Sequence, residues 1–145
     1  MSRSRSRRIR ASILGLALML LVVACEASPG TTPIVVEGVW WQAVSVDGRQ
    51  PRAGAEPRLR LVGGRIEGTT GCNSFGGDAR IVDARLEAPE LAMTLIGCED
   101  DVAGIERAFM AVLAGADLAT DGTNLILRGE GGEVVLAPGA APPAR

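Results

Sequence analysis

Apolar and polar residues alternate in short runs along most of the chain, and turn residues separate these runs at intervals of roughly eight to twelve positions. The clearest example is Arg58–Gly68, in which Leu59, Leu61 and Ile66 alternate with charged residues around the pair Gly63–Gly64. A period of two indicates strands with one buried face, and a two-residue glycine turn is typical of a β-hairpin. The pattern predicts a small antiparallel sheet or barrel.

The first strand of this sheet is predicted at Val39–Val46 and ends at the turn pair Asp47–Gly48. Successive strand residues point to opposite faces, so one of Trp40 and Trp41 should be buried and the other exposed or covered by a neighbour. The residues predicted for the inner face are Val39, Trp41, Ala43 and Val46. Further strands are expected at Asp78–Val82, around Leu86, at Asn124–Gly129 and at Glu133–Pro138, with Gly129–Gly132 closing the last hairpin.

One segment, Asp100–Ala116, has the period of a helix instead. Its large apolar residues recur at three- and four-residue spacing, which predicts a single amphipathic helix that covers one end of the barrel. Asp100 or Asp101 is suited to cap its amino end, and Gly115 is suited to a left-handed cap after its last turn. The residues of the apolar stripe are Val102, Ile105, Phe109, Val112 and Leu113.

The amino end has a different character, because five arginines lie in the first ten residues and the apolar run Ala11–Ala24 follows. This order is typical of a signal peptide, and the run is shorter than the roughly 20 residues that span a membrane. The junction Val22–Cys25 resembles a bacterial lipobox, which predicts a lipoprotein signal peptide at 1–24 and lipid on Cys25. The alternative is an ordinary residue near a plain cleavage site.

Beyond that signal, composition limits the chemistry. Ten basic and 17 acidic side chains would remain, a net charge of −7, which disfavours nucleic-acid binding. The sequence has no histidine, lysine or tyrosine, so the imidazole-based and Schiff-base mechanisms fall away. Glu99–Asp101 lacks the alternating spacing of a calcium loop and fits helix capping better. We therefore expect no enzyme activity, catalytic residue, cofactor or metal.

Two cysteines remain if Cys25 carries lipid. An even pair of thiols in an exported protein predicts a disulfide between Cys72 and Cys98. The alternative is two unpaired, buried cysteines that act as small apolar residues. The segment 25–36 mixes Pro, Gly, Ser and Thr and is predicted to be a flexible tether, while 138–145 is predicted to be a disordered tail.

The order of these pieces, with "GTTGCNSFGG" and "LAMTLIGCED" before the helix, resembles the META domain, the family of HslJ-like heat-shock proteins. The resemblance covers 37–137 and implies a lipocalin-like barrel with one helix, often on an exported or lipid-anchored protein of poorly defined activity. Asp78 and Glu99 depart from the family pattern. The residues that match its motifs are Gly71, Cys72, Asn73, Phe75, Gly76, Thr94 and Cys98.

These motif residues are expected to be structural, because Gly71, Gly76 and Gly77 permit tight turns or a bulge and the Asn73 amide can satisfy loop backbone groups. The alternative is a pocket lined by Asn73, Ser74 and Thr94, with Cys72 as a nucleophile. The predicted function is a non-enzymatic envelope lipoprotein, anchored through Cys25 with its domain facing the periplasm or the exterior, with a stress-related role or an envelope protein partner.

Two other functions stay open at this point. A barrel that binds a small apolar ligand would have a cavity lined by Leu59, Leu61, Ile66 or Leu125. An inhibitor of an envelope hydrolase would insert an exposed loop, either Asn73–Gly77 or Gly129–Gly132. The sequence does not decide the oligomeric state.

Overall fold

Residues 36–143 are the part of the chain that the computed structural model describes, and they form ten strands and one α-helix. Cys25, the predicted signal peptide and most of the predicted tether lie outside them. The strands are β1 (Trp41–Val46), β2 (Arg58–Val62), β3 (Arg65–Thr69), β4 (Ser74–Asp78), β5 (Arg80–Val82), β6 (Arg85–Glu87), β7 (Leu91–Met93), β8 (Gly115–Asp121), β9 (Asn124–Gly129) and β10 (Gly132–Pro138), and the helix is α1 (Asp100–Leu113).

All ten strands belong to one antiparallel sheet, in the order β5-β6-β8-β9-β10-β1-β2-β3-β4-β7. Only Ala79 separates β4 from β5, although these strands lie near opposite ends of that order. The two ends of the sheet must therefore come together, so the sheet curls into a half-barrel. This architecture confirms the predicted mainly-β, lipocalin-like barrel with one helix.

The concave side of the sheet is filled with side chains. Trp41 and Phe109 are its largest fully buried residues, at 2% and 0% exposure, and the rings of Phe75 and Phe109 meet edge to face with centroids 5.9 Å apart. Three of the four residues proposed above to line a ligand cavity pack inside this core, and the fourth, Leu61, also borders a surface cavity of about 350 Å³. Those three residues are Leu59, Ile66 and Leu125.

The helix differs from its prediction at both ends. Glu99 is the residue before its first turn and makes no side-chain capping bond, so Asp100 and Asp101 lie within the first turn, where their charge favours the helix dipole. Ala114 is a right-handed cap, and Gly115 is the first residue of β8 rather than a left-handed cap. Among residues 36–143 no helix is long and apolar enough to cross a bilayer.

The first strand contains an irregularity that explains its burial. Trp41, Ala43 and Val46 point into the core as predicted, and a register shift between Ala43 and Ser45 accounts for the three-residue step from Ala43 to Val46. Such a bulge inserts one extra residue and changes which side chains face inward. Val39 lies before the strand and is partly buried against the core.

The carboxyl-terminal residues extend the last strand. Pro138, predicted to begin the tail, is the final residue of β10, and the Gly139 amide donates to the Trp40 carbonyl at 2.8 Å. The Arg58 guanidinium donates to the Ala141 carbonyl at 3.2 Å. The folded region therefore reaches past residue 138.

Candidate functional site

The stretch that matches the first family motif forms the connection between β3 and β4. Gly71 lies at its tightest point with a φ of +95°, a backbone conformation that favours glycine. A Cβ atom there would stand 2.0 Å from the Ala55 carbonyl oxygen. Both the conformation and the close approach of the 47–57 loop thus require glycine at this position.

Asn73 stabilises this connection through its backbone. Its N–H donates to the Thr70 hydroxyl at 2.9 Å, and its carbonyl accepts from the Thr70 N–H at 2.8 Å and from the Thr69 hydroxyl at 3.0 Å. Thr70 and Asn73 are almost fully buried. A buried turn of this kind is stable only if its polar groups find partners, and these do.

The side chain of Asn73 uses all four of its hydrogen-bonding positions. Its Oδ1 atom accepts from the Ile96 N–H at 2.7 Å and from the Thr94 hydroxyl at 2.9 Å. Its Nδ2 atom donates to the Ile96 carbonyl at 3.2 Å and to Glu106 Oε2 at 3.0 Å. The side chain therefore has no hydrogen-bonding position left for a ligand. This argues against the alternative in which Asn73 lines a binding pocket.

Glu106 connects this turn to the helix. Its Oε2 atom accepts from the Thr70 hydroxyl as well as from Asn73. Hydrogen bonds to a carboxylate are stronger than neutral ones, and this one is partly buried. Glu106 lies one helical turn after Val102, so it is a charged residue beside the apolar stripe of α1. This position is the sequence signal that could have marked Glu106 as a partly buried residue.

A disulfide closes the same region, which confirms the predicted pair Cys72–Cys98. The two residues are 26 positions apart with Cα atoms 6.1 Å from each other. The disulfide joins the β3–β4 turn to the segment between β7 and α1. We call the whole arrangement the Asn73 clamp; it comprises the side chains of Thr70, Asn73, Thr94 and Glu106, the Cys72–Cys98 disulfide and the backbone of Ile96.

The other motif residues belong to the sheet. Phe75 packs in the core against Phe109, and Gly76 pairs with Glu67 and Ala92 on the two neighbouring strands. Asn73–Gly77, proposed above as an inhibitory loop, is therefore a buried turn residue followed by strand β4. Gly129–Gly132 is a turn packed against α1, since a Cβ on Gly131 would lie 2.3 Å from the Ala108 carbonyl.

Two charged groups beside the clamp have shifted pKa values. The hydrogen bond to Glu99 at 2.5 Å, with the charges of Asp101 and Glu99, raises the pKa of Arg52. Burial is the largest single influence on Glu56 and raises its pKa, but the Glu56 and Gly54 amides and Arg58 together hold that pKa below its ordinary value of 4.5. These groups stabilise the 47–57 loop beside Gly71.

The ionisable side chain of the clamp, Glu106, accepts hydrogen bonds from Thr70 and Asn73. The whole sequence contains no histidine to serve as a base. Across residues 36–143, no group of three or more carboxylate or cysteine side chains is placed to hold a metal ion. What the clamp does is fix the segment Thr94–Cys98 in one conformation.

That segment also contains the most exposed large apolar side chain of residues 36–143. Leu95 is 89% exposed and Ile96 is 55% exposed. Trp40, by contrast, is covered by Arg60, whose guanidinium lies 4.9 Å from its ring centroid. Leu95 and Ile96 are thus more exposed than the tryptophan. The other exposed large apolar side chains of residues 36–143 are Val44, Val62, Ile81 and Val82.

Comparisons with known proteins agree with this fold. The family model of the META domain matches residues 35–141. No curated protein sequence matches the chain. One NMR structure is 22% identical with a TM-score of 0.64, covering 74% of this chain and 94% of its own. A second, of a protein from Burkholderia xenovorans, is 19% identical with a TM-score of 0.55, covering 70% of this chain and 81% of its own. At these identities the likeness shows the fold alone.

Proposed function

The chain belongs to the META domain family, and from that premise we propose that it is a non-enzymatic lipoprotein of the bacterial cell envelope that acts by contact with a protein. The observation that carries this proposal is the saturated Asn73 side chain. A buried amide with every hydrogen-bonding position filled supports a scaffold rather than a binding or catalytic pocket. The scaffold holds an exposed apolar segment.

The membrane anchor rests on the sequence of the first 25 residues. Five arginines, an apolar run and Ala24 precede Cys25 in the order of a lipoprotein signal. Acyl chains on Cys25 would each contribute about 0.8 kcal/mol per buried methylene, so two or three chains hold the domain at the bilayer permanently. The partner of Cys25 in this proposal is therefore membrane lipid.

Mass spectrometry of protein extracted from the membrane fraction tests the anchor. The expected spectrum shows a chain that begins at residue 25 and carries the added mass of a diacylglyceryl group and an acyl chain. Cys25→Ser is the matched control and should lose both the lipid and the membrane attachment. A free Cys25 thiol, or an amino terminus elsewhere, would contradict the proposal.

The stress-related role in this proposal follows from the family resemblance. It predicts that the protein becomes more abundant after a temperature upshift and that cells without it recover more slowly. Quantitative immunoblotting before and after the upshift measures the first effect. Complementation with the wild-type gene and with Cys25→Ser measures whether the anchor matters, and an unchanged protein level with unchanged recovery would remove the stress role.

A further inference from the structure

The strand β7 forms one edge of the sheet, since no strand of the described region lies on its outer side. The opposite edge strand, β5, carries Arg80, which pairs with Glu87 at 2.6 Å. Charged residues on an edge strand discourage pairing with another chain. The run Leu91–Ile96, "LAMTLI", contains no charged residue and no proline, so this edge has no such protection.

The backbone groups of this edge alternate in direction. The Thr94 N–H donates to the Ser74 carbonyl at 3.0 Å, and Ile96 exchanges two hydrogen bonds with the Asn73 side chain. In an antiparallel ladder, residues that bond inward alternate with residues that bond outward. The N–H and C=O groups of Leu91, Met93 and Leu95 therefore face away from β4 and can accept another strand.

We propose that the edge Leu91–Ile96 pairs antiparallel with the same edge of a second copy of this chain, about a twofold axis at Met93. In this register Met93 lies opposite its counterpart, and Leu91 lies opposite Leu95 of the second copy. All outward backbone groups then find partners, which gives about six hydrogen bonds from three pairs. A twofold interface of this kind is self-complementary.

The side chains favour this register. Residues directly opposite each other point to the same face, so the exposed Leu95 would be covered by Leu91 of the second copy. On the other face, Thr94 lies opposite Ala92, and the pair of small residues permits close approach. A shift by two residues would instead place Leu95 opposite Pro89, which has no N–H to donate.

Charge favours a second copy as the occupant. Leu91–Ile96 carries no charged residue, so two copies that meet along this edge in the proposed register bring no like charges directly opposite each other. The acidic residues Glu99, Asp100 and Asp101 follow the edge, so an anionic bilayer surface fits this region poorly. Because the edge is short, the interface is small, and we expect a weak, concentration-dependent dimer.

The Asn73 clamp lowers the cost of this association. Its bonds to Ile96 and the Cys72–Cys98 disulfide hold the end of the edge extended before any second copy arrives. A segment that is already ordered loses less conformational entropy on binding. The exposed Leu95 is thus a fixed contact residue rather than a mobile one.

Site-specific photo-crosslinking of the full chain in cells tests the dimer, independently of the lipid anchor. A benzophenone amino acid is placed at position 95, with matched controls at Val44 on β1 and Ile81 on β5, which are 42% and 39% exposed. The expected result is a covalent adduct of twice the chain mass at position 95 only. When two differently tagged copies are co-expressed, this adduct should carry both tags.

A charge variant completes the test. Leu95→Lys should lower the association constant of the purified full chain about tenfold in sedimentation equilibrium, because it places a charge in an apolar contact. Val44→Lys should leave it unchanged, and both variants should unfold like the wild type. An adduct with another protein or with lipid, no adduct at 95, or equal adducts at the control positions would overturn the proposal.

Discussion

Two buried regions hold this domain together by different means. The interior around Trp41 and Phe109 is apolar and is stabilised by the transfer of hydrophobic surface out of water. The Asn73 clamp is polar and is stabilised because every buried donor and acceptor has a partner. The first depends on volume and the second on hydrogen-bond chemistry, so substitutions that one region tolerates should damage the other.

The largest effect is expected in the interior. Phe109→Ala should lower the free energy of unfolding by about 3–5 kcal/mol, because a fully buried ring is removed and a cavity remains. Phe109→Leu keeps most of the apolar volume and should cost much less. Urea unfolding followed by tryptophan fluorescence measures both. Equal losses for the two variants would show that volume does not control this region.

The disulfide of the clamp comes next. Replacing Cys72 and Cys98 together with alanine should lower the free energy of unfolding by about 2–4 kcal/mol, because the bond links residues 26 positions apart and so restricts the unfolded chain. The matched control, Cys25→Ala, should leave unfolding unchanged. A paired substitution without effect would mean that the hydrogen bonds of the clamp fix this segment unaided.

The clamp should respond to a change that barely alters shape. Asn73→Asp replaces the amide that faces Glu106, 3.0 Å away, with a second carboxylate and should cost about 2 kcal/mol. Glu106→Gln in the same chain should restore at least about 1 kcal/mol, since the new amide at position 106 can donate to the new carboxylate at position 73.

A double-mutant cycle by urea unfolding gives the coupling between positions 73 and 106. The Glu106→Gln single variant is its internal control. If the losses of unfolding free energy in the two single variants simply add in the double variant, the two side chains do not interact. The clamp would then not differ from the apolar interior in the way described.

The interior was largely predictable from the sequence, because burial follows period two in strands and period 3.6 in helices. The hairpin at Gly63–Gly64 and the apolar stripe of α1 both appeared where the pattern placed them. Strands β4, β7 and β8 were not predicted, and the β8 sequence "GADLATD" has small side chains and little alternation. The bulge in β1 also has no periodic signal.

The clamp was predictable only in part. The pairing of Cys72 with Cys98 followed from the number of cysteines, but the contact between Asn73 and Glu106 joins residues 33 positions apart. Such a contact depends on how the helix is placed on the sheet, and no local pattern encodes it. Glu106 therefore appeared in the sequence as a helix residue without a partner.

The smallest effect is expected at Glu56, beside the clamp. Because its folded pKa is depressed, Glu56 stabilises the fold above its ordinary pKa of 4.5, and this contribution is lost as the pH falls through the folded pKa. Glu56→Gln should lower stability at pH 7 by about 0.5 kcal/mol or less and have no effect at pH 2. Urea unfolding at both pH values measures this difference. A larger loss of stability at pH 2 than at pH 7 would contradict a depressed pKa for Glu56.

Hydrogen exchange at the Ile96 amide tests the central claim, that Asn73 acts as a scaffold for the segment Thr94–Cys98. The amide donates to Asn73 Oδ1 at 2.7 Å and should be protected in the wild type. Asn73→Ala should abolish this protection. The Leu127 amide in β9 should lose protection only to the extent that the variant lowers the free energy of global unfolding. An Ile96 amide that exchanges freely in the wild type, or stays protected in the variant, would contradict the account.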